Sequence, residues 1–113
     1  MVIIPSGNPL AGGRDIVVWK YVTSGIADEC APSINSWLFS SIAGLAVILN
    51  QGYIVAAADY QGLRSPVPHP YLVGPRAAHS VLDVIRAAGE VTKASANALF
   101  AVWGGSQGGY ASL

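Results

Sequence analysis

Apolar residues in this chain come in short unbroken runs, joined by two stretches in which they recur every three or four positions. Ile16-Val17-Val18-Trp19, Tyr53 to Ala58 and Leu99-Phe100-Ala101-Val102-Trp103 are the runs. Runs this short, without alternation, predict strands buried on both faces. Ile34, Trp37, Leu38, Ile42, Leu45, Ala46 and Leu49 follow helical spacing. They predict an amphipathic helix with Ser33 as its N-cap, ended by Asn50-Gln51-Gly52. Ala78, Val81, Leu82, Ile85 and Ala88 predict a second, with His79, Asp83, Arg86 and Glu90 on its polar face. On that face Asp83 with Arg86, and Arg86 with Glu90, are spaced to pair. Residues 1–14, rich in Pro and Gly, predict a loop entering the first strand, and residues 23–33 are turn-rich. Residues 59–75 predict a long loop, a feature that is usually functional in a compact domain.

The predicted order is β-α-β-α-β followed by a helix start. That alternation predicts an α/β fold with three parallel strands joined by crossover helices. In open parallel sheets, sites collect at the carboxyl ends of the strands. The loops after Trp19, Ala58 and Trp103 meet there.

The last of these loops carries the most specific signal. Gly104-Gly105-Ser106-Gln107-Gly108 fits G-x-S-x-G, with an apolar run before it and a small-residue segment after it. Strand, sharp turn, helix is the context of a nucleophile elbow. Such a turn holds its Ser in a strained backbone conformation and leaves no room for Cβ atoms at the flanking glycines. The Gln107 N–H would open the following helix and point toward a developing oxyanion. A Ser hydroxyl needs a base, however, and in hydrolases of this type the acid and the His follow the Ser in the chain. His69 and His79 both precede Ser106. His79 and Asp83, four residues apart, lie on a helix flank, away from the strand ends, and are not read as triad members. His69, between Pro68 and Pro70, reads as a structural or pocket-wall residue. The expectation is a nucleophile without its complete machinery, inactive as it stands. Trp19, Trp37 and Trp103 read as core and sheet packing. Tyr60 and Tyr71 read equally well as pocket-mouth residues or as ordinary loop residues.

Composition sharpens this picture. At 113 residues the chain is one domain at most. Only 11% of it is charged and 52% is hydrophobic, against a usual charged fraction of about 25%, so much of the surface is expected to be covered. The cover would come from the rest of a larger domain or from a partner, and uncovered it favours self-association. Zero net charge gives no long-range attraction to nucleic acid or to an anionic membrane. The single cysteine, Cys30, forms no internal disulfide; it reads as a small buried hydrophobe, or as half of a bridge to a segment not present here. One Cys and two His make no credible metal site. Met1 to Pro5 has no signal-peptide features. Ile34 to Leu49 is too short and too polar to span a bilayer.

Four stretches together resemble the secretory lipase family. They are Trp19 through Cys30-Ala31-Pro32, Gly52-Tyr53 through Asp59-Tyr60-Gln61-Gly62-Leu63, His69-Pro70-Tyr71-Leu72-Val73-Gly74, and Trp103 through Gly109. They cover nearly the whole chain, but only the N-terminal portion of a family member. The resemblance implies a single incomplete α/β-hydrolase domain over residues 1–113, ending at the nucleophile elbow. It implies hydrolysis of carboxylic esters, acylglycerols above all, without a cofactor or metal. Ser106 would be the nucleophile, and Gln107 and Asp59 would lie at the oxyanion hole. An ionised carboxylate only accepts hydrogen bonds, so Asp59 would help through its side chain only if protonated, and otherwise through backbone nearby. Asp59 also reads as an ordinary strand-end acid that caps the loop backbone. Secretion and contact with a lipid interface are implied too. The chain departs from the family at Tyr21-Val22, where relatives carry a His-Gly pair. The competing reading is a truncated, non-catalytic relic that at most binds acyl ligands.

Overall fold

The structure, a computed structural model, describes residues 1–113. Its centre is a strand, β2 (Arg14–Lys20), flanked on both sides by parallel neighbours. These are β3 (Ile54–Ala56) and β4 (Ala96–Gly104). Ile16, Val18, Ile54 and Ala56 point to one face of the sheet. There they pack against Val81, Val84 and Ala88 of α2 (Gly74–Gly89). Trp19, Tyr21, Val55 and Ala57 point to the other face, against Ile42 and the helix α1 (Leu45–Asn50). The parallel α/β core is therefore the one the apolar runs predict.

A fourth strand adds to it. β1 (Val2–Ile3) pairs antiparallel with β3, so the sheet is mixed, in the order β1-β3-β2-β4. Two residues ahead of a proline carry no periodicity, and the expected loop over residues 1–14 is corrected accordingly.

The first predicted helix is mostly absent. Pro32–Ile34 is a single 3-10 turn, residues 35–44 are further turns, and only Leu45–Asn50 is α-helical. Ser40 and Ser41 donate their hydroxyls to the Trp37 and Leu38 carbonyls, three residues back. Such local side-chain bonds compete with a helical ladder. Gly44, at φ 73° in the left-handed region, then sets the start of α1. Ser33 is not its N-cap, because its amide and hydroxyl are both donated to Asp59.

α2 begins at Gly74, four residues earlier than its apolar pattern, with Pro75 in the first turn where no N–H is needed. Its buried stripe is Val81, Val84 and Ala88, while Leu82 is exposed. Arg86 pairs with Asp83 at 3.1 Å and not with Glu90.

β4 is longer than its apolar run and forms one edge of the sheet. Leu99 is 67% and Trp103 56% exposed, so neither packs as expected of a strand buried on both faces. Of the three tryptophans only Trp19 belongs to the core. No helix is long and apolar enough to cross a membrane.

Candidate active site

Gly104 ends β4, and the short helix α3 (Gln107–Tyr110) begins three residues later. Between them Ser106 sits at φ 53°, ψ −122°. A positive φ is rare for a residue with a Cβ, and this ψ lies far from the left-handed helical well. The turn is forced by packing. A Cβ on Gly104 would lie 2.7 Å from the Lys20 carbonyl oxygen, and a Cβ on Gly108 would run into that same oxygen. The end of β2 thus presses on the turn from below, and only glycine fits at either position. Ser106 itself is exposed, and its hydroxyl makes no hydrogen bond within the chain. The Gln107 N–H, first in α3, likewise donates to nothing. An unpaired N–H beside an exposed hydroxyl can bind an oxyanion that forms on an attacked carbonyl.

The Gln107 side chain is buried, only 5% exposed, and meets His69. His69 donates Nδ1–H to the Gln61 carbonyl at 2.7 Å. In a neutral imidazole that leaves Nε2 as an acceptor, and the Gln107 carboxamide donates to it at 3.3 Å. Tyr60, His69, Leu72, Gln107 and Tyr110 line one small cavity. His69 is thus a wall residue with both ring nitrogens engaged, as its sequence position suggests. Tyr60, half of a question left open by sequence, is buried behind that wall, and the half-exposed Tyr71 packs its ring at a tilt against His69.

Asp59 is placed differently. Its carboxylate accepts the Ser33 N–H at 2.9 Å and the Ser33 hydroxyl at 2.5 Å. It borders a separate open groove with Ser80, His79 and Asp83 on α2. The Asp59 side chain therefore ties one loop to another. His79 is exposed on the α2 flank and Asp83 is held by Arg86, so neither is joined to Ser106. Cys30 is a free, partly buried thiol whose Sγ packs against Gly25.

Sequence reasoning passed over Lys20. It is fully buried beneath these loops, donates Nζ to Ser80 Oγ at 2.9 Å, and lies 4.2 Å from the centre of the Tyr60 ring. Burial lowers its pKa to about 8, and the nearby Asp59 charge limits the fall. Burial pushes the Tyr21 and Tyr60 hydroxyls well above the usual phenol range, and Asp59 adds to this at Tyr21. Tyr60 donates its hydroxyl to the Tyr21 carbonyl at 2.6 Å, joining the loops after β2 and β3. A lysine directly after an apolar run was the available signal.

A sequence model of the secretory lipase family matches residues 40–113, well over half of the chain. The chain belongs to the secretory lipase family. It is 33% identical over 96 aligned positions to Lipase 4 of Candida albicans and 37% identical to Lipase 5 of the same yeast. Each alignment covers 74% of this chain and 20% of the relative, so the chain spans about a fifth of the length of these lipases. Two X-ray structures of Candida antarctica lipase A, one of them in its closed state, superpose with a TM-score of 0.72. They cover 97% of this chain and 27% of that one, at 23% and 24% identity, a likeness of fold.

Proposed function

We propose that these residues form the nucleophile-bearing, N-terminal part of a secreted carboxylic ester hydrolase acting on acylglycerols or related esters. The observation that carries the reading is the backbone of Ser106, φ 53° and ψ −122°, in a Gly-flanked turn between strand and helix. In this reading Ser106 Oγ attacks the ester carbonyl as a base takes its proton. The tetrahedral oxyanion accepts the Gln107 N–H. The second donor is backbone N–H at Asp59 or Tyr60, neither of which donates within the chain, while the Asp59 carboxylate stays on Ser33. Collapse expels the alcohol and leaves an acyl-Ser106, which water then cleaves. Neither histidine bonds to Ser106, so the base and its acid come from polypeptide outside these residues. No cofactor takes part.

The same unpartnered hydroxyl favours a second reading for the 113 residues taken alone, a non-catalytic piece that at most binds acyl ligands. Hydrolysis of a short-chain nitrophenyl ester, measured beside Ser106→Ala, separates the two. Turnover lost in the variant supports an activated Ser106. Equal background rates in both support the non-catalytic reading of the isolated chain.

A further inference from the structure

We infer that His69 is a positioning residue that sets the orientation of the Gln107 amide, an inference that rests on the hydrolase reading of Ser106 and Gln107. α3 is a single turn, too short to fix its own first residue, and the Ser106 backbone before it is strained. The Gln107 backbone N–H has no partner of its own. The Gln107 carbonyl accepts the Ala111 N–H within the turn at 2.9 Å, and the tie from Gln107 to the rest of the fold is its side chain, donated to His69 Nε2.

His69 in turn has no freedom. The Gln61 carbonyl fixes its tautomer. Its ring lies between Tyr60 and Tyr71, with centroids at 5.8 and 6.1 Å. Gly62, at φ 87°, packs so closely on the backbone of Pro68 and His69 that no Cβ fits, which prevents the loop from sliding. Tyr60 continues the line by its bond to the Tyr21 carbonyl. A rigid strut therefore runs from the loop after β2, through Tyr60 and His69, to the residue that follows Ser106. It links the two backbone segments that supply the proposed oxyanion donors, so both stay in one register. An oxyanion donor must be placed to within about 0.5 Å to be effective, and a strut is how a one-turn helix achieves that.

The test compares 15N-labelled wild type, His69→Phe and His69→Gln. Phe keeps a ring packed between the two tyrosines without the acceptor, and Gln restores an acceptor oxygen near the place of Nε2. In folded His69→Phe the Gln107 backbone amide resonance moves and the Gln107 carboxamide protons lose their protection, while His69→Gln keeps both near wild type. In the longer polypeptide that supplies the base and acid, acting on a nitrophenyl ester, His69→Phe lowers kcat roughly 10- to 100-fold at unchanged KM and His69→Gln recovers most of it. A purely structural role would lower Tm in both variants without this rescue. A Gln107 amide that stays in place in folded His69→Phe overturns the inference. If His69→Phe does not fold, a displaced Gln107 amide in His69→Gln overturns it and an unmoved one supports it. If wild type is inert toward the ester yet the amide moves in His69→Phe and returns in His69→Gln, the coupling stands; the hydrolase reading falls only if Ser106→Ala in the longer polypeptide that supplies base and acid keeps its turnover.

Discussion

Gly108 and Gly89 show how differently two glycines of one chain are constrained. A Cβ at Gly108 would collide with the Lys20 carbonyl oxygen, whereas at Gly89, the last residue of α2, it meets open space. Gly108→Ala should therefore lower stability by about 1–3 kcal/mol or more, and Gly89→Ala should raise it by roughly 0.5–1 kcal/mol. Denaturant melts of the two variants beside wild type check both signs. Ser106 offers a related contrast. Its positive φ stores backbone strain of order 1–3 kcal/mol, which glycine relieves and alanine does not. Ser106→Gly should thus melt higher than Ser106→Ala, although neither retains the hydroxyl. Equal melting temperatures would show that the turn is unstrained.

Lys20 makes a prediction about pH. Its folded pKa, about 8, lies below the 10.5 of an ordinary lysine. Below pH 8 both folded and unfolded states carry the proton, and the full cost of the buried cation opposes folding. Between about pH 8 and 10 the folded state releases that proton while the unfolded state keeps it. Stability then rises toward a limit of roughly 3 kcal/mol. Above about pH 10 the trend reverses, because Tyr21 and Tyr60 stay protonated in the fold and ionise readily once unfolded. Lys20→Met should remove the rise and gain stability at pH 7, since a buried charge gives way to an apolar side chain of similar length. Urea midpoints measured from pH 6 to 11 test this directly.

At the scale of elements, the periodic and the local succeed and the interrupted fails. β2, β3, β4 and α2 were legible because each is a run or stripe whose pattern its own backbone satisfies. The segment 34–44 shows the same helical spacing and is not a helix. Its serines bond back to carbonyls, and Gly44 takes a left-handed conformation. β1 was illegible for the opposite reason, being too short to have a pattern. β4 is the element with the most to lose. Its nine residues carry no charge and no proline, and Leu99, Phe100 and Trp103 stand exposed along an open edge. Long apolar edges recruit other strands. The isolated chain should self-associate through β4, and Phe100→Lys should shift it toward monomer. Sedimentation velocity across a concentration series reads the result, and a variant that associates as wild type does would place the contact elsewhere.

At the scale of the whole molecule, the two layers of the sheet are unequally covered. α2 closes one face over β2, β3 and part of β4, while α1 and the turns before it cover part of the other. Ala96 and Val102 of β4 pack against that first core, while Leu99, Phe100 and Trp103 stay exposed. The low charged fraction anticipated that incompleteness. Which strand would bear it was invisible in composition.

The sequence by itself determined the parallel α/β order and the turn at Ser106. Both rest on interactions within a few residues: apolar runs that must be buried, and glycines spaced so that a strand can turn at once into a helix. Tertiary structure decided the rest. Only folding brings His69 to Gln107 across 38 positions, sets the Asp59 carboxylate on Ser33, and buries the Lys20 ammonium against Tyr60 and Ser80. Those are through-space contacts between polar groups. No periodicity encodes them, because each depends on which loop lies across the end of which strand.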